Sequence, residues 1–200
     1  MTPLEVYNKY RLDPAQDMHP FAPFLRLNAR GNILEIGVRG GVSTAAFLLG
    51  IEQNGGHLFS VDKTAICKNL FAGHPQWTFV NADSQDHKSV YRAIGPDMSA
   101  HEEPTPAKPY ATSFDIVFLD GAHYRQGIRS DLENYAPLVK RGGMVLVHDI
   151  FGTKNPTPEQ LAEDWPTEAV GEEFYAYARA NGWPTFELPG EFGMGVAIRL

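Results

Sequence analysis

The stretch Asn32-Ile33-Leu34-Glu35-Ile36-Gly37-Val38-Arg39-Gly40-Gly41-Val42-Ser43-Thr44 decides how the rest of the chain is read. An apolar run closes on a carboxylate and a glycine turn, then passes into an alanine- and leucine-rich segment of helical character: strand, turn, helix. Such a turn gathers bare backbone N–H groups and a helix N-terminus at one point, which is how α/β proteins hold a nucleotide-like cofactor. The glycine spacing narrows the cofactor. A dinucleotide site calls for G-x-G-x-x-G, whereas here the glycines fall at 37, 40 and 41 with Arg39 in the second place, so an NAD-dependent oxidoreductase is the weaker reading. Asp62 follows Gly37 by 25 residues and closes the next apolar run. There an acidic side chain can accept both hydroxyls of a ribose; the plainer alternative is a cap for a helix beginning near Thr64.

Outward from this stretch the chain alternates. Strand-length apolar runs fall at 32–36, 57–61, 77–80, 115–119 and 143–147, with helix candidates at 43–53, 64–72, 85–94 and 124–139 between them. The helix at 124–139 places Tyr124, Ile128, Leu132, Tyr135 and Leu138 near one 3.6-residue face. This alternation predicts an α/β fold, a Rossmann-like three-layer sandwich around a mostly parallel sheet. Thr157-Pro158-Glu159-Gln160 reads as a capped helix start, and a longer helix from about Thr167 carries Val170, Phe174, Tyr177 and Ala178 on one side. The final runs, 185–188 and 196–199, are separated by only seven residues. That is too short for a parallel crossover, so they form an antiparallel hairpin.

Residues 1–30 read as an N-terminal helical cap, with Leu4, Tyr7 and Leu12 near helical spacing and an apolar segment at 24–27, ahead of one domain spanning 31–200. Such a cap could cover a cofactor or form a contact between copies in a homo-oligomer; a helix packed on the sheet edge is the plainer reading. Residues 95–113 carry four prolines and no apolar period, which predicts a long loop, read as a flexible insertion with a substrate lid as the sharper alternative. The formal net charge of −7 over 200 residues argues against a broad basic face for nucleic acid. The single cysteine, Cys67, excludes an intrachain disulfide and a cysteine zinc cluster. With no basic and apolar leader at Met1 and no apolar run near the roughly 20 residues that span a bilayer, the expectation is a cytoplasmic protein without membrane partners.

Parallel sheets bind ligands at the carboxyl ends of their strands, and every predicted strand ends in polar residues. They are Glu35 and Gly37; Asp62; Asn81, Asp83 and Ser84; Asp120, Gly121 and His123; His148 and Asp149. By strand alternation His148 should point away from Asp149, in a structural or supporting role.

The runs Leu34-Glu35-Ile36-Gly37 to Gly41-Val42-Ser43, then Asp62, then Asp83-Ser84-Gln85-Asp86, then Phe114 to Asp120-Gly121-Ala122-His123, then Arg141-Gly142-Gly143 to His148-Asp149, resemble the class I S-adenosylmethionine-dependent methyltransferases. Within that class they are similar to the catechol O-methyltransferase-like enzymes and to the family-24 methyltransferase domain, over about residues 32–199. The resemblance implies a seven-stranded sheet with an antiparallel last strand. It implies that Glu35, Gly37, Gly41 and Ser43 hold the methionine end of S-adenosylmethionine, Asp62 the ribose, and Asp83 and Ser84 the adenine. Asp120 and Asp149 match the two acids that bind Mg²⁺ in the catechol-type enzymes, and His123 stands where those enzymes place a lysine base. Ile150 replaces the asparagine that follows the second acid there. The implied activity is methyl transfer to a hydroxyl of a small molecule, with Asp120, His123 and Asp149 as catalytic residues. The chain has no Asn/Asp-Pro-Pro-Tyr/Phe run after the fourth strand, as amino-directed nucleic-acid methyltransferases do. A catalytically silent S-adenosylmethionine-binding or partner-regulating domain is the rival reading.

Overall fold

The computed structural model describes the chain apart from residues 14, 96–113, 154 and 163–164; the expected loop insertion at 95–113 therefore lies, beyond Gly95, outside the described residues. Seven strands form one sheet: β1 (Gly31–Ile36), β2 (Gly56–Asp62), β3 (Trp77–Asn81), β4 (Phe114–Leu119), β5 (Val139–His148), β6 (Thr185–Leu188) and β7 (Met194–Ile198). Their order is β3-β2-β1-β4-β5-β7-β6. β1 to β5 pair in parallel, while β7 runs antiparallel to both β5 and β6. The chain moves from β1 outward to β3, then returns to the other side of β1 with β4. The sheet therefore reverses direction between β1 and β4, where open α/β folds have a crevice for ligands.

Strand alternation divides the core in two. Ile33, Ile116, Phe118, Leu146 and Val196 face one side and pack against α1 (Pro3–Tyr10), α2 (Ala22–Asn28) and α3 (Val42–Asn54), through Val6, Leu25, Phe47 and Ile51. Their immediate neighbours Leu34, Val117, Leu119, Val145, Val147 and Ala197 face the other side. That side is covered by α4 (His87–Ile94), α5 (Arg125–Tyr135) and α7 (Ala169–Ala180), through Val90, Ile128, Leu132, Val170 and Phe174. A short helix, α6 (Pro158–Ala162), precedes α7. Its start is the capping box read from the sequence: Gln160 N donates to Thr157 Oγ1 and Thr157 N to Gln160 Oε1. Among the described residues, no helix is long and apolar enough to cross a membrane.

Several local expectations are corrected. The helix expected at 64–72 is only a 3₁₀ turn, Ala65–Asn69; Gly73, with φ +85°, and the proline after His74 end it early. Tyr124 precedes α5 as its N-cap and is exposed, so the buried face begins at Ile128. In the N-terminal cap, α1 starts on Thr2 and stops at Tyr10, leaving Leu12 outside the helix. Its buried face is Pro3, Val6 and Tyr7, and Leu4 and Leu12 are exposed. Both cap helices pack on α3, and Phe24 of α2 reaches the ring of Phe186 in the edge strand β6, at 6.4 Å.

Candidate active site

The turn after β1 closes against β4. Asp120 N donates to Ile36 O at 2.8 Å, and Gly37, at φ +92°, lies so near that a Cβ there would sit 2.1 Å from the Asp120 carbonyl oxygen. Arg39 and Gly41 also have positive φ, 46° and 76°. The turn is therefore tightly wound, and it opens α3 at Val42.

Beneath it lies Glu35, wholly inaccessible to solvent. Ser43 Oγ donates to its Oε1 at 2.7 Å; Thr44 Oγ1 and Ser60 Oγ donate to Oε2 at 2.9 and 2.5 Å. Ser60 in turn accepts from Trp77 Nε1 at 2.9 Å. Burial raises the Glu35 carboxyl to about 7, against the three hydroxyl donors that favour its charge. Glu35 thus spends both carboxylate oxygens on Ser43, Thr44 and Ser60, a network that ties β1, β2 and the start of α3 together. The contribution of Thr44 and Ser60 was not read from the sequence, although Ser60 is the direct cross-strand partner of Glu35.

Asp62 grips the same turn from the end of β2. Its Oδ2 accepts from Val38 N at 2.9 Å and Arg39 N at 3.2 Å, and its Oδ1 accepts from Thr64 N at 2.6 Å. Asp83 is exposed and accepts from Gln85 N at 3.0 Å. Ser84 is held through its carbonyl by Tyr135 Oη at 2.5 Å, and Gln85 Nε2 donates to Asp131 Oδ1 at 2.9 Å. Asp131 is buried in α5, and that burial raises its carboxyl to about 7. Helix α5 thereby fixes the loop after β3 from below, a role the sequence did not signal.

At the ends of β4 and β5 four polar side chains converge. His123 Nε2 lies 3.2 Å from Asp149 Oδ2 and 3.9 Å from Asp120 Oδ1. His148 Nδ1 lies 3.1 Å from Asp120 Oδ1 and 3.1 Å from Asp149 Oδ1. The structure therefore brings Asp120, His123 and Asp149 together and corrects the placement of His148, which points into the cluster. Two features account for this. Leu119 pairs with Val147, so continuing the register sets His148 beside Asp120. Asp149 has φ +66°, which ends the extended backbone and turns its side chain back toward its neighbour. His148 is 3% exposed, and its ring meets Phe21 edge-on at 5.3 Å. Although burial opposes it, the adjacent acids hold His148 well above the usual imidazole range; His148 and His123 likewise hold Asp120 below the usual carboxylate range. Burial leaves Asp149 raised. His123 is partly exposed, and its carbonyl accepts from Thr167 Oγ1 at 3.0 Å.

One ligand atom each from Asp120, His123 and Asp149 lies within 4.8 Å of the others, a grouping that could approach a cation. Three of the four carboxylate oxygens, however, already face an imidazole nitrogen. The next residue, Ile150, is buried and has no side-chain oxygen. Mg²⁺ takes an octahedral shell of oxygens; here His148 stands 3.1 Å from an oxygen of each acid, while Asp149 Oδ1 is buried without a hydrogen-bond partner among the described residues.

Solved structures share this architecture. A Bacillus cereus O-methyltransferase in complex with S-adenosylhomocysteine matches at 15% identity and TM-score 0.60, over 98% of this chain and 89% of that one. A methyltransferase from Podospora anserina, also bound to S-adenosylhomocysteine, matches at 13% and TM-score 0.62, over 99% and 87%. The MycE methyltransferase of mycinamycin biosynthesis, in complex with Mg, S-adenosylhomocysteine and mycinamycin VI, matches at 16% and TM-score 0.61, over the whole of this chain and 53% of that one. At such identities the likeness speaks for the fold. The family model for a methyltransferase domain matches residues 34–150, more than half the chain and all of the segment from the β1 turn to Asp149. The chain belongs to this family of methyltransferase domains, within the class I S-adenosylmethionine-dependent methyltransferases that its motifs resemble.

Proposed function

We propose that this chain transfers a methyl group from S-adenosylmethionine to a hydroxyl of a small molecule, with His123 as the base. The observation that carries the reading is His123 Nε2 at 3.2 Å from Asp149 Oδ2, on the strand end beside the β1 turn. The turn made of Gly37 and Gly41, braced by Glu35 and Ser43, receives the methionine end of the donor; Asp62 reaches the ribose; the loop of Asp83 and Ser84 borders the adenine. The acceptor oxygen attacks the methyl carbon in line, the carbon–sulfur bond breaks, and its electron pair returns to sulfur, giving S-adenosylhomocysteine. The hydroxyl proton passes to His123. With Nε2 turned to Asp149, 3.2 Å away, the ring presents Nδ1 as the acceptor of that proton, and the buried carboxylate stabilises the imidazolium that results. Asp120 lines the same space. A divalent cation recruited here would be held by Asp120 and Asp149 and would supply Lewis acidity; no step above depends on one. The names of the Bacillus cereus and MycE neighbours support oxygen as the methylated atom and a small molecule as the acceptor. The single, buried cysteine suits a reducing cytoplasm.

The test combines calorimetry with methyl-transfer assays on hydroxylated small molecules. S-adenosylhomocysteine should bind, and His123→Ala should lower turnover by about a hundredfold or more while leaving that affinity unchanged. Tight binding of NADH with none of S-adenosylhomocysteine would refute the donor, and a fully active His123→Ala chain would refute the base.

A further inference from the structure

Two carboxylates at neighbouring strand ends repel unless something lies between them. In this chain that place is taken. His148 Nδ1 is equidistant, at 3.1 Å, from Asp120 Oδ1 and Asp149 Oδ1; it hydrogen-bonds to Asp120 Oδ1, while Asp149 Oδ1 faces it as an ion-pair contact without a hydrogen bond of its own. The ring has little freedom to leave: it is 3% exposed, and Phe21 from the N-terminal cap stands edge-on to it. His148 faces Oδ1 of Asp149, and the second oxygen of that acid faces His123. An ion bridging the Oδ1 atoms of the two acids would have to displace His148 from both contacts, with no side-chain oxygen from Ile150 in return.

We propose that His148 is a positioning residue that clamps Asp120 to Asp149 in the place a divalent cation would otherwise take, so that methyl transfer by this chain runs without a metal. The inference rests on the reading of His123 as the base, and it assigns the alignment of that base to the His148 clamp. Phe21 extends the clamp into the N-terminal cap, which gives α2 and the segment before it a part in the site without any contact to the acceptor.

The experiment has a binding arm and a kinetic arm, both on the full chain. Mn²⁺ is titrated into the protein, free and with S-adenosylhomocysteine, and followed by the electron paramagnetic resonance of the unbound ion; no binding is expected below millimolar concentration. Submillimolar binding that is lost in Asp120→Asn would overturn the proposal. In the kinetic arm, EDTA should leave wild-type turnover intact, and its abolition would overturn the proposal. His148→Leu, which removes the donor, should lower kcat about tenfold or more without changing the acceptor KM or the affinity for S-adenosylhomocysteine. His148→Asn, which restores an N–H near the position of Nδ1, should recover most of the loss. Wild-type kcat in His148→Leu refutes the clamp, as does equal loss in both variants; if His148→Leu does not fold, the Mn²⁺ titration and His148→Asn still decide. Failure of S-adenosylhomocysteine to bind would instead strike the methyl-transfer reading, and the Mn²⁺ arm is independent of it.

Discussion

Replacing Glu35 by glutamine isolates the cost of keeping a charge under the cofactor turn. Glu35 is wholly buried, and its carboxyl is raised from 4.5 to about 7 by that burial, in spite of three hydroxyl donors. The folded chain therefore holds this proton more tightly than the unfolded chain. Its contribution to stability is complete below about pH 4.5 and is lost as pH rises through about 7. At 1.36 kcal/mol per pH unit, the rise corresponds to about 3 kcal/mol between the two extremes. Glutamine fits the same space and carries no charge. Its Oε1 accepts from two of the hydroxyls, and its amide N–H groups can donate to a third once that hydroxyl rotates. Urea unfolding of both proteins at intervals from pH 5 to pH 8 should show the wild type losing about 2 kcal/mol more than Glu35→Gln. Asp131 is raised to about 7 in the same direction, but it is present in both proteins and cancels in the difference. Because the hydroxyl network survives, the affinity for S-adenosylhomocysteine should stay within about tenfold. Parallel stability curves for the two proteins would refute the argument that Glu35 is buried as an acid poised to neutralise.

Asp62→Asn should weaken both the fold and donor binding, because one carboxylate accepts three backbone N–H groups and the amide keeps only one oxygen. A loss of about 2 kcal/mol in denaturant unfolding and about thirtyfold in calorimetric affinity for S-adenosylhomocysteine is expected, and unchanged affinity would remove Asp62 from the cofactor site. Gly37→Ala places a methyl 2.1 Å from the Asp120 carbonyl oxygen at a φ of +92°; it should cost about 3 kcal/mol or more in thermal or urea unfolding, and a chain as stable as the parent would mean that β1 and β4 are free to part there.

The centre of the sheet was legible because β1, β4 and the end of β5 are buried on both faces, so each shows as a short apolar run. The reversed last strand followed from chain length alone, since seven residues cannot cross over between 188 and 196. The cap misled because Leu4 and Leu12 mimic a helical stripe while the helix ends at Tyr10. Packing of Val6 and Tyr7 against α3 is a tertiary fact with no local signature. The 64–72 segment failed for a related reason: the periodicity was acceptable, but Gly73 and the proline beyond it cut the segment below the length at which a helix sustains itself.

At the site, residue identity was readable and register was not. Reading strand ends as a row pairs the last acid of β4 with the last acid of β5, and it passes over the residue before the second acid, which alternation assigns to the far face. The sheet is offset by one. With Leu119 opposite Val147, the neighbour of Asp120 is His148, and both lie on the face shared by Phe118 and Leu146. Asp149 joins them only because its backbone leaves the strand at φ +66°, a conformation that aspartate and asparagine tolerate better than most residues. A residue placed one step further along either strand would have left two acids facing each other with nothing between, the arrangement that calls for a cation. In the observed register His148 stands 3.1 Å from an oxygen of each acid. The proposed metal independence of this chain thus rests on the residue that the register sets opposite the strand-four acid, His148.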